Sequence, residues 1–251
     1  MPRAADRRVV TSLHVRLLEL VAEAHARYGD VGLRLEGGTA LAAYHLHHRE
    51  SADLDFFGNL DLNALDFTRQ LRAHIRAADL PADLIGAPNQ GYARLAVHSA
   101  TPGDATVVMV DIARSSTFLL EPTELTVEGV RIASYRDLCA GKLHAICDRF
   151  EPRDYVDLHV ILRRPAGVAD TVGDPSGATE RFRALVRDVM EVDPGLGIPH
   201  IAQAIARGSN RAIVAALPLR ILVPLSEDDV QRTIHLCAEE CARAVRAELG
   251  G

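Results

Sequence analysis

Two aspartates, Asp53 and Asp55, lie two positions apart in a short apolar segment of the chain. If this segment is a β-strand, its side chains alternate between two faces, so both carboxylates share one face and Leu54 and Phe56 share the other. Two carboxylates on one rigid strand offer the oxygen ligands that suit a hard divalent cation such as Mg²⁺. The alternative is an acid pair that caps a turn, which the close apolar neighbours make less attractive. The spacing therefore predicts a Mg²⁺ site.

Gly37, Gly38 and Thr39 precede the aspartates. They follow an apolar segment, Val31 to Leu35, that is typical of a strand, and they open an Ala- and Leu-rich segment that is typical of a helix. Backbone N–H groups at such a helix start favour phosphate oxygens, and the Thr39 hydroxyl could add a further contact. The alternative is an ordinary turn capped by Thr39. A metal site beside a phosphate-binding turn indicates nucleotide chemistry.

Three further residues could complete this site. Asp111 ends an apolar segment, 106–110, that predicts a central strand, and a carboxylate buried there needs a partner. That partner could be the same cation, which would make Asp111 a third metal ligand, or it could be an arginine, Arg94 or Arg114.

Arg49 and Ser51 come shortly before Asp53. Arg49 could contact phosphate or could pair with Glu50. Ser51 should share the face of Asp53, where it could contact phosphate or metal-bound water.

A second group of charged residues follows in the sequence. Lys142 is the only lysine of the chain, and a compact ammonium group suits a triphosphate. Asp154 and Asp157 are three residues apart, which places them on one face of a helix. The alternatives are a chance lysine and a purely structural network of arginine and aspartate.

These motifs together resemble the AbiEii/AbiGii group of nucleotidyltransferase-like proteins, which includes toxins of type IV toxin–antitoxin and abortive-infection systems. The first block comprises GGTALA from Gly37, then Tyr44, His48-Arg49, Ser51 and DLDFF from Asp53. The second block comprises Lys142-Leu143, Ala145, Arg149, Arg153-Asp154 and Asp157-Leu158. The resemblance covers roughly residues 30 to 165.

The resemblance implies Mg²⁺-dependent transfer of a nucleoside monophosphate from an NTP, with release of pyrophosphate. The implied metal ligands are Asp53, Asp55 and Asp111. The implied nucleotide-binding residues are Gly37, Gly38, Thr39, Arg49, Ser51, Lys142, Arg149 and Arg153. The implied catalytic residues are Asp53, Asp55, Lys142, Asp154 and Asp157, of which Asp154 or Asp157 would orient or deprotonate the acceptor hydroxyl, or hold Lys142 and Arg153 in place.

The resemblance also implies an RNA acceptor, such as a tRNA 3′ end, and a cognate antitoxin. Three alternatives stay open: a small-molecule acceptor, a protein acceptor, and a non-catalytic module that binds nucleotide or antitoxin. Fold-level similarity does not decide between acceptors.

Composition narrows the class of protein. The chain has 251 residues, of which 48% are hydrophobic, and a formal net charge of −6, which argues against non-specific coating of nucleic acid. No apolar run approaches the roughly 18 residues of a membrane span. The four cysteines lack zinc-site spacing and are expected to be reduced, half-buried thiols in a cytoplasmic protein.

His45, His47 and His48 are expected to be exposed or near a ribose, because their spacing suits a helix tail better than a metal site.

The predicted fold class is α/β (α+β), a nucleotidyltransferase fold with a short mixed β-sheet flanked by helices. A core of residues 1–165 is expected to precede a helical lobe of residues 166–251. Periodicity predicts helices over 11–28, 61–78, 134–164 with a break near Glu151-Pro152, 180–192, 200–207 and 227–249. It also predicts strands over 92–98 and 106–112 and a hairpin over 125–132.

Overall fold

The computed structural model describes residues 2–115, 118–163 and 177–249. The chain forms two compact units, Met1–Thr117 with Pro122–Ser134 and Phe118–Glu121 with Tyr135–Gly251. The boundary predicted at 165/166 falls outside the described residues. Residues 135–163, which the sequence places with the N-terminal core, pack in the second unit.

The first unit is built on a mixed seven-stranded sheet. Its strands are β1 (Arg34–Glu36), β2 (Asp53–Gly58), β3 (Ala82–Ile85), β4 (Tyr92–His98), β5 (Val107–Arg114), β6 (Glu124–Leu125) and β7 (Arg131–Ile132). They are arranged in the order β3-β4-β5-β2-β1-β7-β6. The pairs β2–β5 and β1–β7 are parallel and the others are antiparallel, so the prediction of a mixed sheet is confirmed.

Three helices belong to the first unit: α1 (Ser12–Tyr28), α2 (Gly37–Leu41) and α3 (Ala64–Ala77). Thr11 caps α1 through a reciprocal pair of bonds with His14, and Gly29 ends the helix at φ +116°. Helix α3 packs on β3, β4 and β5, and its Phe67 ring meets Tyr28 of α1 edge-on at 5.2 Å. The buried side chains of β2, β4 and β5 form the core beneath these helices: Leu54, Phe56, Leu95, Val97, Val108, Val110 and Ile112.

The segment that carries the glycines differs in detail from the prediction. The first strand begins at Arg34 rather than Val31, because Gly32 turns the chain at φ +61° and its N–H donates to Asp30. Helix α2 continues as a π-helical turn over Ala42–Leu46, an uncommon geometry that is frequent at functional sites.

The second unit is helical in its described residues. Its helices are α4 (Tyr135–Asp148), α5 (Pro152–Arg163), α6 (Ala178–Val192), α7 (Ile198–Ala206) and α8 (Glu227–Leu249). The break predicted near Glu151-Pro152 separates α4 from α5. Helix α4 packs on α5, α6 and α7, while α8 packs on α5, α6 and α7. The Tyr155 hydroxyl ties α5 to α7 by donating to the Ala204 carbonyl at 2.8 Å.

All four cysteines are free and buried, more deeply than the sequence suggested. Burial raises the pKa of Cys139 to about 12 and that of Cys147 to about 11. Within the described ranges, none of the helices combines the length and apolarity needed to cross a bilayer.

Candidate active site

The two aspartates of β2 share one face of the sheet, as their spacing predicts. Asp53 and Asp55 are half-buried, and the residues between and after them, Leu54 and Phe56, are fully buried on the other face. The neighbouring strands hold this geometry in place, because β1 pairs with one edge of β2 and β5 with the other. The carboxylates therefore project from a rigid central strand.

Strand register extends the acidic pair into a row across the sheet. Asp55 lies opposite Glu36 of β1 on one side and opposite Asp111 of β5 on the other. Paired residues of adjacent strands share a face about 4.8 Å apart, so the three carboxyl-bearing residues are neighbours. Glu36 was not predicted as part of this group. Its position directly before Gly37 in the sequence is the signal that could have included it.

Gly37 lies directly against Asp55. It adopts φ +70°, and a Cβ atom added there would come within 2.2 Å of Asp55 Oδ2. Both the backbone conformation and the contact exclude a side chain at this position. The glycine therefore brings the start of α2 onto the carboxylate face.

Gly38 lies against Arg49 rather than against an aspartate. A Cβ atom at Gly38 would come within 2.6 Å of Arg49 Nη2, and Arg49 is only 1% exposed. The Arg49 guanidinium donates from Nη1 to the backbone carbonyl of Glu50 at 2.9 Å. The structure therefore shows a bond from Arg49 to the main chain of Glu50, and contact of Arg49 with phosphate stays a prediction.

Thr39 links the start of α2 to the start of β2. Its side chain is fully buried, and its hydroxyl lies 2.6 Å from the Ser51 hydroxyl and also hydrogen-bonds with the Asp53 carbonyl. The Ser51 N–H donates to the Val9 carbonyl at 3.1 Å. Thr39 and Ser51 thus support the position of Asp53 from within the protein.

Asp111 is held by two residues of β4. Its Oδ1 accepts from the Tyr92 hydroxyl and from Arg94 Nε, and its Oδ2 accepts from Arg94 Nη2, all at 2.6 Å. The hydrogen bond to Asp111 raises the pKa of Arg94, and burial together with Asp111 raises the pKa of Tyr92 to about 12. The arginine partner considered for Asp111 is therefore present, and it is Arg94 and not Arg114.

The carboxylates of Asp53 and Asp55 are of the ligand type that a hard cation takes. Within residues 2–115, 118–163 and 177–249, no group of three or more His, Cys, Asp or Glu side chains is arranged to hold a metal ion. Asp53, Asp55 and Asp111 are thus not arranged as a ready three-ligand set among these residues, and their role as metal ligands stays a prediction. The oxygen donors of Asp53 and Asp55, beside a glycine turn with no side chain, match the ligand type that Mg²⁺ requires.

The histidines after α2 do not match the expected exposure. His48 is fully buried, and His47 forms an ion pair with Asp6 at 3.1 Å. Burial lowers the pKa of His45 to about 4. These histidines therefore belong to the interior and edge of the first unit.

The second charged group comes together inside the helical unit. Lys142 of α4 lies 3.0 Å from Asp154 and 2.8 Å from Asp157, both on α5, and both carboxylates are fully buried. Arg149 donates from Nε to the second oxygen of Asp154 at 3.1 Å. The structure therefore brings these four residues together. Arg153 is half-buried at the start of α5.

A separate cavity of about 370 Å³ lies in the second unit and contains none of the predicted site residues. It is formed by residues of α6, α8 and the start of α7, with an apolar floor and charged residues at its rim.

Solved structures share this fold. MenT4, a nucleotidyltransferase toxin from Mycobacterium tuberculosis H37Rv, matches with a TM-score of 0.58 and 18% identity over 92% of this chain and 82% of that chain. A putative nucleotidyltransferase from H. pylori matches with a TM-score of 0.50 and 19% identity over 92% and 96% of the two chains. JHP933 from Helicobacter pylori matches with a TM-score of 0.50 and 17% identity over 98% and 99%. No curated protein matches the chain.

The family model for the nucleotidyl transferase AbiEii toxin of type IV toxin–antitoxin systems matches residues 21–231, which is most of the chain. This match includes every residue of the two clusters described above, and the resemblance first seen in the motifs is confirmed. The chain therefore belongs to the AbiEii family of nucleotidyltransferase toxins.

Proposed function

We propose that this nucleotidyltransferase uses Mg²⁺ and an NTP to add a nucleoside monophosphate to an RNA hydroxyl, such as a tRNA 3′ end. The observation that carries the proposal is the contact between Gly37 and Asp55. It brings a side-chain-free turn against a carboxylate face, so a phosphate group and its counter-ion could occupy adjacent positions.

In this proposal Asp53 and Asp55 hold the divalent cation. The cation, when bound, neutralises negative charge on the triphosphate and on the entering oxygen. Leu54 and Phe56 anchor the strand in the core, so the carboxylates keep their positions while the substrate exchanges. Rigid placement matters because nucleotidyl transfer depends largely on positioning and charge stabilisation.

The backbone N–H groups of Gly37, Gly38 and Thr39 lie at the start of α2, where helix geometry leaves them without partners further back in the helix. We assign the β- and γ-phosphates to these N–H groups. The hydroxyl groups of Thr39 and Ser51 hydrogen-bond to each other, so in this proposal they stabilise the turn and do not bind phosphate.

The cluster of Lys142, Arg149, Asp154 and Asp157 serves the same reaction in this proposal. Lys142, Asp154 and Asp157 are buried and mutually paired, an arrangement that costs solvation free energy, while Arg149 is exposed and contacts Asp154 from outside. We assign Lys142 to the triphosphate on the family match alone, since its ammonium group is buried against Asp154 and Asp157 in the described structure. Asp154 and Asp157 fix its position, and one of them orients the acceptor hydroxyl.

The test incubates the protein with each α-³²P-labelled NTP, Mg²⁺ and total RNA. Label on RNA is expected, and both Asp53→Asn and Asp55→Asn should reduce it by at least about 100-fold, as is typical when a charge-stabilising group is removed. A surface carboxylate of the same unit, Asp83 on β3, provides the matched control, and Asp83→Asn should keep wild-type labelling.

Label on protein or on a small molecule would show that the acceptor belongs to that class of molecule and is not RNA. Binding of NTP without any labelled product would refute transfer. We place the reaction in the cytoplasm, where NTPs and tRNA are available, and we expect a cognate antitoxin to inhibit the protein.

A further inference from the structure

The cavity of about 370 Å³ in the helical unit contains none of the residues proposed for nucleotidyl transfer. Two pairs of side chains on α6 line it, Phe182 with Val186 and Arg183 with Arg187, and the members of each pair are four residues apart and so lie on one side of the helix. On α8 the cavity meets Ala244, whose small side chain leaves space that a larger residue would fill. The volume lies within the range of small-molecule sites, about 300–1,000 Å³.

The charges that line this cavity leave one arginine without a partner. Glu240 is 7% exposed, its Oε2 accepts from Arg183 Nε at 2.9 Å, and its Oε1 pairs with Arg243. Arg183 also donates to Glu180 at 2.8 Å. Arg187 is exposed, and within the part of the chain that the structure describes it makes no hydrogen bond or ion pair. An uncompensated positive charge therefore lies beside an apolar floor.

The extent of the lining favours a small molecule over a protein partner. Ten residues line the cavity, whereas one side of a stable protein–protein interface comprises about 20–30 residues. Six of the ten are apolar, and the other four are the three arginines and the glutamate. A mostly apolar lining with a few polar groups is typical of sites that bind small molecules.

We propose that this cavity binds a small aliphatic carboxylate, with the chain on the apolar floor and the carboxylate paired with Arg187. Removal of the chain from water supplies most of the affinity. The guanidinium offers two parallel N–H groups that match a carboxylate, so the charge pair selects an acid over an amine of the same length. This site is separate from the proposed function and does not depend on it.

The experiment titrates the full chain with sodium decanoate by isothermal titration calorimetry, and compares it with decyltrimethylammonium, which has the same chain length and the opposite charge. Decanoate is expected to bind one molecule per chain, and the cation at least about fivefold more weakly. Arg187→Gln should raise the Kd for decanoate by about fivefold, the upper range for an exposed ion pair. Ala244→Leu adds three carbon atoms to the floor and should weaken decanoate at least about tenfold.

Two further variants serve as controls. Arg246→Gln removes an exposed arginine of α8 that does not line the cavity, and the Kd for decanoate should stay within about twofold of the wild type. Ala247→Leu is a second filling variant, because Ala247 lines the cavity but is exposed, and a larger side chain there is tolerated even if Ala244→Leu fails to fold. It should weaken decanoate at least about threefold.

Several results would overturn the proposal. Wild-type protein that binds no decanoate refutes the site. Equal binding of the acid and the cation, or an unchanged Kd in Arg187→Gln, refutes the carboxylate pair. Full binding in the filling variants shows that decanoate lies elsewhere. In sedimentation velocity, a wild-type dimer that Arg187→Gln converts to a monomer would show that a second copy of the chain fills the cavity. None of these outcomes bears on transfer activity, so the two proposals fail independently.

Discussion

The contact between Gly37 and Asp55 allows a quantitative test by Gly37→Ala. An L-residue at φ +70° costs about 1–2 kcal/mol of stability. For a chain of this size, that loss lowers the Tm by about 2–8 °C. The added Cβ would also lie 2.2 Å from Asp55 Oδ2, whereas non-bonded atoms meet at about 3.5 Å. The carboxylate must therefore move by more than about 1 Å.

A displacement of that size has a larger effect on catalysis than on folding. Misplacing a reacting group by about 1 Å can reduce the rate about 100-fold, and that loss is expected for labelling of RNA by Gly37→Ala. Gly86 is the matched control, because it adopts φ +74° and a Cβ there would meet nothing within 4 Å. Gly86→Ala should show the same loss in Tm with full labelling activity.

The assay compares Tm by circular dichroism with initial rates of ³²P transfer for both variants. Equal Tm losses with a 100-fold difference in rate would support the role of the close approach. If Gly37→Ala retains a rate within about threefold of Gly86→Ala, the contact with Asp55 does not define the active geometry, and the argument from Gly37 is refuted.

Three further predictions concern buried polar groups. Lys142→Met leaves two buried carboxylates without their ammonium partner, so urea unfolding should show that the free energy of unfolding falls by about 3–5 kcal/mol. Adding Asp154→Asn and Asp157→Asn should restore most of this loss. Wild-type stability of Lys142→Met would contradict the prediction. Burial lowers the pKa of His159 to about 4, below its unfolded value near 6.5, so only the unfolded chain gains this proton as the pH falls from 6.5 to 4. Stability should fall by up to about 3 kcal/mol across that window, and urea midpoints of His159→Gln should depend less on pH than those of the wild type. Thr39→Val removes both hydroxyl contacts at constant shape, so we expect a loss of about 1–3 kcal/mol in the same assay, and an unchanged midpoint would show that these bonds contribute no net stability.

Local patterns were sufficient to locate the main groups of the candidate site. The spacing of Asp53 and Asp55 predicts a shared face because strand side chains alternate, and the neighbouring Leu54 and Phe56 identify the buried side. The three-residue spacing of Asp154 and Asp157 likewise predicts a shared helix face. Such predictions depend only on the period of an element, which a single sequence contains.

The sequence left two candidate arginine partners for Asp111, and the strand register decides between them. Arg94 meets Asp111 because β4 and β5 pair in one register, and a shift of one residue would move Arg94 to the other face. The edge strand Ala82–Ile85 was not predicted because it is short and pairs only with β4. The assignment of α4 and α5 to the second unit also depends on packing between distant segments rather than on any local pattern.

The burial of Lys142 has a practical consequence. The chain has a single side-chain amine, and that amine is 5% exposed between α4 and α5. An amine-specific reagent can reach it only when these helices separate transiently. The rate at which the folded protein is acylated at Lys142 would therefore report how often this part of the helical unit opens.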